Sequence, residues 1–308
     1  MVTLSEVRAT NSKLSQPPMT AVFVGATSGI GLATLRAFST HVAKPHAIII
    51  GRSRSTFEPE LENLRKINPE GNYTYFEADV SLMRNIDAVC SAITKYLNGG
   101  KIDLLFTSQG SLSFSGRHDT VEGLDLSVAL RYYGRVRFTQ LLLPHMNPKG
   151  GRAITVLAGT QEGKIFEDDL DLKQNYGLAN AAGHFASLLS LSYDSLAAQH
   201  PGVGFVHVFP GLASTGLLGR SAEGALGVLM RWVVQPVLGL FIAKPEDVGE
   251  RMWWLATQEG FVGGEGVAWT VDEKGEVGVN AVLKGYRERG LAGRVVEHNE
   301  MVSESTRA

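Results

Sequence analysis

Cysteine is almost absent from this chain of 308 residues, in which Cys90 is the single example. One thiol excludes an internal disulfide framework and any metal site built from several cysteines. No pair of histidine and carboxylate has the spacing of a metal site, so we predict no bound metal. Because a chain with so little cysteine suits a reducing compartment, we expect a cytoplasmic protein.

The chain also lacks an excess of positive or negative charge. The 29 lysines and arginines nearly balance the 31 aspartates and glutamates, which leaves a formal net charge of −2. Nucleic-acid binding favours a basic excess, and acidic tails form blocks of like charge. The chain has neither feature, so we predict no nucleic-acid partner.

Long uninterrupted hydrophobic runs are also missing. The first eighteen residues mix Glu6, Arg8 and Lys13 with small polar residues, which is unlike a secretory signal. The longest apolar stretch, residues 226–243, contains Arg231, and an arginine is costly in the centre of a membrane span. We predict no transmembrane span. The stretch is interpreted as a buried or lid-like helical segment, with a homo-oligomer interface as the alternative.

The chain does contain a regular alternation of short apolar runs and helical patterns. Hydrophobic residues make up 44% of it, enough for a large core. Strands are predicted near 21–24, 47–50, 73–76, 102–106, 153–157, 203–208 and 267–271, and helices at 29–41, 58–67, 82–97, 121–146 (in more than one segment), 176–198 and 245–257. This alternation predicts a parallel sheet with right-handed crossovers.

The pattern therefore predicts one α/β domain, a doubly wound Rossmann-type fold over residues 19–290. No linker, internal repeat or low-complexity tract divides it. Residues 1–18 and 291–308 are predicted to be a flexible N-terminal extension and a C-terminal tail.

A glycine-rich turn joins the first predicted strand to the first helix, with the sequence Gly25-Ala26-Thr27-Ser28-Gly29-Ile30-Gly31. Glycines there allow backbone N–H groups to approach a pyrophosphate, and the positive end of the helix faces that anion. The strand before it and the helix after it make the pattern far more specific than glycine spacing alone. A dinucleotide site is predicted; the alternative is a merely glycine-rich turn.

The residues after the second and third strands indicate which dinucleotide binds. No acidic residue ends the second strand to accept from the ribose of NAD, and Arg52 follows it at once. A guanidinium suits the 2′-phosphate of NADP, although Arg52 could also be a solvated loop residue. Asp79, after the third strand, could accept from the adenine amino group or cap the helix that follows.

These motifs, together with Tyr176 opening a long helix and Pro210-Gly211 with Thr215 after a strand, resemble the short-chain dehydrogenase/reductase family over residues 19–275. The sequences of two segments, residues 168–184 and 205–215, further resemble a fungal subgroup often found in secondary-metabolite pathways. The resemblance implies roles in cofactor binding for the following residues: at the pyrophosphate Gly25, Ser28, Gly29, Ile30 and Gly31, at the adenine Asp79 and Val80, and at the nicotinamide Pro210, Gly211 and Thr215. It also implies that residues 212–243 form a helical lid over a bulky hydrophobic substrate.

The catalytic set departs from the family pattern of Asn, Ser, Tyr and Lys. Tyr176 is present, but Asn180 stands where the lysine is expected, Ala158 where the serine is expected and Arg131 where the asparagine is expected. The Asn-Asn-Ala-Gly after the fourth strand reads Thr-Ser-Gln-Gly at residues 107–110, so only its glycine is kept. The predicted catalytic residues are Tyr176, Arg131 and Asn180, all three also placed against the cofactor.

The loss of the lysine affects acid and base chemistry unequally. A phenol with a pKa near 10 is a poor base at neutral pH but can still donate a proton. Carbonyl reduction needs only that acid, and Arg131 could supply the positive charge that the tyrosinate then requires. The alternative for Arg131 is an ion pair with Asp125 or Glu122.

Three functions are compatible with this sequence. The first is an NADPH-dependent reductase of a carbonyl or imine on a bulky hydrophobic intermediate of a biosynthetic pathway. The second is a cyclase or isomerase that keeps the cofactor pocket without hydride transfer, and the third is a non-catalytic NADP-binding regulator. Among the remaining polar groups, Asp168 or Asp169 could orient a cationic amine or act as an acid or base; the alternative is a solvated loop in which Asp169 or Asp171 caps a turn. His184 could face the cofactor, and His207 is expected in the core.

Overall fold

The computed structural model describes residues 2–13, 16–111, 116–211, 243–264 and 266–306. In these residues seven parallel strands form one sheet in the order β3-β2-β1-β4-β5-β6-β7. The strands are β1 (Met19–Val24), β2 (Pro45–Gly51), β3 (Asn72–Glu77), β4 (Leu104–Thr107), β5 (Gly151–Val156), β6 (Val203–Val208) and β7 (Trp269–Val271). The predicted parallel sheet is confirmed.

Helices cover both faces of the sheet. They are α1 (Leu4–Lys13), α2 (Gly29–His41), α3 (Arg54–Ile67), α4 (Met83–Leu97), α5 (Leu126–Val128), α6 (Gly134–Leu142), α7 (Leu178–Gln199), α8 (Pro245–Thr257), α9 (Ala281–Glu288) and α10 (Ala292–Ser305). Val22 and Val24 pack into the core on one face with α4, α6 and α7, whereas Phe23 packs on the other face with α2, α3 and α8. Apolar residues buried on alternate faces of one strand require two helical layers, so the fold is doubly wound.

The order of the strands reverses at β1, which lies between β2 and β4. The connections that leave the carboxyl ends of β1 and β4 therefore run to opposite faces of the sheet, and a crevice opens between them. Ligands of open α/β sheets bind in such a crevice.

Both ends of the chain correct the predictions made for residues 1–18 and 291–308. Helix α1 buries Val7 completely, and Arg8 Nη2 lies 2.5 Å from Asp247 Oδ1 on α8. Helix α10 packs on α7 and buries Val295 completely. The faces that these two helices bury include polar residues, so neither shows the apolar stripe by which a packed helix is recognised in a sequence.

Two predicted helices differ from the observed ones in detail. The stretch 121–146 is divided as expected, into α5, a π-helical turn (Ala129–Tyr133), α6 and a 3₁₀ turn (Leu143–His145). Tyr176 does not open α7, which begins two residues later at Leu178 with Gly177 in an extended conformation before it. The carboxylate of Asp169 accepts hydrogen bonds from the backbone N–H groups of residues 173–175, which holds these residues in a turn instead of a helix.

The predicted lid over 212–243 lies outside the described residues, except for Ala243. Among the helices of the described segments, none is both long and apolar enough to cross a bilayer.

Candidate active site

Gly25 and Gly31 occupy places where no side chain fits. Gly25 has φ +82°, and a Cβ on it would lie 2.3 Å from the backbone nitrogen of Gln109. A Cβ on Gly31 would lie 2.4 Å from Ser108 Oγ. The turn after β1 and the turn after β4 thus meet almost backbone to backbone at the crevice, which is the close approach that glycine alone permits.

The start of α2 offers unpaired donors at this crevice. Ser28 precedes the helix in an extended conformation and its hydroxyl makes no capping hydrogen bond. The first turn has Leu32 N–H donating to Ser28 O at 3.3 Å, so the N–H groups of Gly29, Ile30 and Gly31 have no partner within the helix. These donors and the positive end of the helix dipole fit a pyrophosphate.

Gln109 carries a buried carboxamide that lacks hydrogen-bond partners. The residue is 5% exposed, and within the described segments neither Oε1 nor Nε2 has a partner. An unpaired buried amide costs about 1–3 kcal/mol and is rare in folded proteins. Because Gln109 lies against Gly25 at the crevice, its amide is a group to which a bound dinucleotide could supply partners. The sequence showed it only as a departure from the family loop.

Arg52 and Asp79 follow β2 and β3. Arg52 is exposed and pairs with no carboxylate of the described segments, whereas the nearby Arg54 lies 3.6 Å from Glu58. Oδ1 of Asp79 accepts from the Ser81 N–H at 3.1 Å, but α4 begins only at Met83, so Asp79 closes a turn before this helix and does not cap it as the alternative predicted. Val80, its neighbour in the sequence, is 8% exposed and belongs to the hydrophobic core. An adenine contact for Asp79 and Val80 stays a prediction.

Tyr176 is half-buried beside charged groups. Burial raises the pKa of its phenol and the Asp125 carboxylate raises it further, whereas the guanidinium groups of Arg131 and Arg117 lower it. The charge of Arg131 therefore acts on Tyr176, although 45 residues separate them in the sequence. The opposing charges decide how readily this phenol can give up its proton.

Arg131 lies at the centre of the π-helical turn, and its side chain passes over Gly110. A Cβ on Gly110 would lie 3.6 Å from Arg131 Cγ. Burial lowers the pKa of the guanidinium, and the nearby Tyr176 and Asp125 oppose that effect. Turns of π-helix are rare and occur frequently at functional sites.

The predicted alternative for Arg131, an ion pair with Asp125 or Glu122, is not observed. Asp125 accepts from the backbone N–H of Val128 at 3.0 Å and from that of His118 at 2.8 Å. Glu122 accepts from the backbone N–H groups of residues 83 and 84 at 2.6 and 3.1 Å. Both carboxylates are thus used to fix the chain around Arg131.

Asn180 and Ala158 occupy the places of the family lysine and serine. Asn180 is exposed, and its Nδ2 donates to the Asn175 carbonyl at 3.0 Å. Because α7 begins after Tyr176, these two residues are not related by one helical turn as the sequence predicted. Participation of Asn180 in the site stays a prediction. Ala158, at the end of β5, brings no side-chain hydroxyl.

A buried chain of hydrogen bonds supports the loop that follows Ala158. The Ala158 N–H donates to His207 Nε2 at 3.0 Å, so the proton of the imidazole lies on Nδ1 and donates to Ser190 Oγ at 2.8 Å. The Ser190 hydroxyl in turn donates to Glu162 Oε1 at 2.7 Å. The imidazole donates to Ser190 Oγ and neither ring nitrogen is left to accept the Ser190 proton, so the set is a structural scaffold and not a nucleophile with its base. His207 is buried in the core as predicted.

This scaffold predicts that His207 stays neutral in acid. Burial, together with the charge of Arg135, lowers the pKa of His207 to about 3 from 6.5. The unfolded chain takes up this proton below pH 6.5 and the folded chain does not until about pH 3, so acidification across that window favours unfolding. Burial raises the pKa of Glu162, which partly opposes this effect. Nitrogen-15 NMR at pH 5 should show a neutral Nδ1–H imidazole for His207; an imidazolium signal would contradict the scaffold.

Arg135 was missed by the sequence interpretation and lies under the site. It is 1% exposed, and burial lowers its pKa to about 9. Its Nη1 donates to Thr155 Oγ1 at 2.7 Å and to the Val156 carbonyl at 2.8 Å, and its Nη2 donates to the Gln109 carbonyl at 2.5 Å. One side chain thus ties the carboxyl ends of β4 and β5 together. Its position on the apolar face of α6, with Phe138 and Leu142, was the available signal.

The remaining polar predictions resolve into structural roles. His184 is fully buried; its Nδ1 accepts from the Phe166 N–H at 3.1 Å and its Nε2 contacts the Leu170 carbonyl at 3.0 Å, so backbone groups occupy both ring nitrogens. Partial burial opposes ionisation of Asp169, but hydrogen bonds from Asn175 and its neighbours outweigh it and lower the pKa of that carboxyl. Asp169 therefore caps a turn, which confirms the alternative predicted for it from the sequence. Asp168 is solvent-exposed.

Pro210 and Gly211 follow β6 at the same edge of the sheet, and Gly211 has φ +73°. Thr215, predicted beside them at the nicotinamide, lies outside the described residues.

Comparison with known proteins identifies the family of this chain. A family model described as short chain dehydrogenase matches residues 19–222. The chain belongs to the short-chain dehydrogenase/reductase family. An oxidoreductase of Emericella nidulans is 36% identical over 97% of each chain. Another, of Emericella variicolor, is 35% identical over 85% of this chain and 77% of its own.

Solved structures of the family share the fold at low sequence identity. The L-sorbose reductase of Gluconobacter frateurii, solved with NADPH and L-sorbose, superimposes with a TM-score of 0.60 at 18% identity, over 84% of this chain and 97% of its own. The family resemblance predicted from the sequence is thus confirmed, as are its Rossmann-type fold and its fungal relatives.

Proposed function

We propose that this short-chain dehydrogenase/reductase is an NADPH-dependent reductase of a carbonyl or imine on a bulky hydrophobic intermediate, in a secondary-metabolite pathway. The observation that carries the proposal is the half-buried phenol of Tyr176, whose pKa is raised by burial and lowered in part by the charge of the Arg131 guanidinium. An acid with a raised pKa and a cation to stabilise its conjugate base are the two groups that a reduction requires of the protein.

Each residue of the site has a separate role in the proposed reduction. A bound NADPH supplies hydride to the electrophilic carbon. Tyr176 holds the substrate oxygen or nitrogen by a hydrogen bond and gives it the phenolic proton, so the product leaves as an alcohol or amine. Arg131 and Arg117 stabilise the tyrosinate, which regains its proton from solvent. Gly25, Gly31 and the start of α2 hold the pyrophosphate.

The proposed reduction predicts a mass and an isotope signature. A strain that lacks the gene should accumulate the substrate, and purified protein with NADPH deuterated at the transferable position should convert it to a product two hydrogens heavier, with deuterium on carbon. Tyr176→Phe should lower turnover at least about 100-fold, since a positioned general acid contributes that much or more. Undiminished turnover in Tyr176→Phe would exclude the phenol as the acid.

Arg131→Ala separates the cation from the acid. It should lower turnover while leaving the affinity for NADPH close to that of the wild type, because the guanidinium acts on the tyrosinate. Turnover equal to that of the wild type would show that Arg131 does not supply the positive charge of the family lysine, whose place Asn180 takes in this chain.

Arg52 should determine the preference for NADPH over NADH. Arg52→Ala removes a charge-assisted hydrogen bond to the 2′-phosphate, each worth about 1.5–3 kcal/mol, so NADPH should bind about 10–100-fold more weakly. Affinity for NADH should not change. Arg54→Ala is the matched control, since Arg54 already pairs with Glu58. No loss of affinity for NADPH would show that Arg52 is a solvated loop residue, and equal losses for both cofactors would exclude a contact with the 2′-phosphate.

A second function is favoured by two observations at the site. Ala158 has no hydroxyl and Asn180 is engaged by a backbone carbonyl, so two family catalytic groups are missing. A cyclase or isomerase would need only a pocket that orients a reactive substrate. An isomeric product without deuterium in the labelling experiment would establish that function instead.

A further inference from the structure

Helix α10 reaches the two chain segments that carry Arg131 and Tyr176. Tyr132 and Tyr133 follow Arg131 in the π-helical turn and are 0% and 5% exposed. The Tyr132 hydroxyl donates to Asn299 Oδ1 at 2.7 Å, and the Tyr133 hydroxyl lies 2.8 Å from His298 Nε2. Both partners are consecutive residues of α10.

The same helix also holds the loop before Tyr176. The Tyr133 hydroxyl donates to Asp171 Oδ1 at 2.5 Å, and His298 Nε2 lies 3.2 Å from that oxygen. Since the Tyr133 proton is given to the carboxylate, His298 Nε2 must carry a proton and act as donor to this pair. Arg294 adds a second attachment, with Nη2 donating to the Glu167 carbonyl at 2.8 Å.

These contacts are buried and specific. Asn299 is 7% exposed, and its Nδ2 donates to Ser192 Oγ on α7 at 3.0 Å, so both ends of its amide are used. The hydrogen bond from His298 lowers the pKa of the Asp171 carboxyl against the effect of burial. Turns of π-helix are rare and interrupt the i→i+4 pattern of the flanking α-helix, and here contacts from α10 hold both tyrosines that end the turn.

We infer that His298 and Asn299 of α10 are positioning residues, which fix the π-helical turn and the loop before Tyr176 relative to each other so that the charge of Arg131 acts on the Tyr176 phenol. The inference rests on the proposed role of Arg131. The contacts of α10 fall one and two residues after Arg131, and five residues before Tyr176. Neither His298 nor Asn299 was a candidate in the sequence, where this segment was a predicted tail.

The test reads the acidity of residue 176 directly and needs no substrate. A trifluorinated tyrosine placed at position 176 alone gives a fluorine NMR signal, and fluorine lowers the phenol pKa into a range where the protein stays folded. Arg131→Met should raise the pKa of that phenol by about 1, the effect of removing a nearby opposite charge. Asn299→Ala and His298→Ala should each raise it by a good part of that amount, and His298→Gln, which keeps a donor, should restore most of it.

Two controls separate positioning from general loss of packing. Val302→Ala truncates a buried apolar residue of α10 with no polar contact to the turn, so it should lower the unfolding temperature and leave the phenol pKa unchanged. In the Arg131→Met background, Asn299→Ala should have no further effect on that pKa.

The outcomes distinguish the two proposals. If Arg131→Met shifts the phenol pKa while Asn299→Ala and His298→Ala behave like Val302→Ala, α10 is only a packing element and the inference fails. If Arg131→Met itself causes no shift, the proposed role of Arg131 fails, and the inference with it.

Discussion

Gly31→Ala is expected to abolish measurable binding of NADPH. The new Cβ would lie 2.4 Å from Ser108 Oγ, 2.6 Å from the Gly25 carbonyl oxygen and 2.8 Å from Ala26 Cα. Two of these three contacts are backbone atoms, which cannot move aside as a flexible side chain would. The turns after β1 and β4 must therefore separate, and the donors at the start of α2 lose their common orientation toward the pyrophosphate. Isothermal titration with NADPH measures the loss, which we expect to exceed about 100-fold, or about 2.7 kcal/mol.

Gly110→Ala is the matched control for this experiment. Gly110 follows Gln109 after β4, but among the described residues a Cβ there would meet only Arg131 Cγ, at an ordinary 3.6 Å. It should bind NADPH with nearly the affinity of the wild type. If both variants bound NADPH with the affinity of the wild type, the crevice between β1 and β4 would not be the cofactor site. Circular dichroism of Gly31→Ala checks that the loss of binding is not a loss of fold.

Arg135→Met is expected to cause the largest loss of stability of any single change proposed for this protein. The substitution leaves the Thr155 hydroxyl and the carbonyls of Val156, Gln109 and Thr107 without their shared donor in a buried place. Each unsatisfied buried group costs about 1–3 kcal/mol, and relief of the desolvated charge offsets part of the sum. We expect a net decrease of roughly 3 kcal/mol in the free energy of unfolding, measured by urea denaturation.

Arg65→Met is the control for Arg135→Met. Arg65 lies 3.4 Å from Glu58 with 47% of its side chain exposed, and such surface pairs contribute about 0–1 kcal/mol. If both variants lost the same small free energy of unfolding, the hydrogen bonds of Arg135 would stabilise the ends of β4 and β5 no more than a surface ion pair does. Because Arg135 also binds the Gln109 carbonyl, its replacement should weaken NADPH binding as well.

Local patterns predicted most of the fold. The strands, the helices α2 to α4 and α8, and the glycine turn all followed from periodicity and turn chemistry, which depend on neighbouring residues. Tyr176 shows where this fails. The sequence predicts Tyr176 as the first residue of a helix, but the Asp169 carboxylate binds the N–H groups of residues 173–175 in a turn and Gly177 is extended, so the helix begins at Leu178. A carboxylate that competes for backbone donors leaves no periodic signal.

The site was predicted unevenly for the same reason. Gly25, Gly31, Arg52 and Tyr176 were candidates in the sequence because the roles predicted for them need a residue type at a fixed place after a strand or before a helix. Gln109 could not, since only the proximity of two turns reveals that its amide is buried without partners. His298 and Asn299 lie about 165 residues beyond the tyrosines that they hold, and nothing local connects them.

The amino-acid sequence alone was enough for the seven parallel strands, the glycine-rich turn after β1 and the family to which the chain belongs. Tertiary structure decided which charges act on one another: that Arg131 acts on Tyr176 and forms no ion pair with Asp125 or Glu122, and that Arg135 donates to carbonyls and a hydroxyl. It also decided that α1 and α10 are packed helices. The physical reason is that hydrophobic periodicity is repeated over many residues and tolerates exceptions. The partner of a buried polar group is instead a single contact, set by atoms that only the complete fold brings within 3 Å.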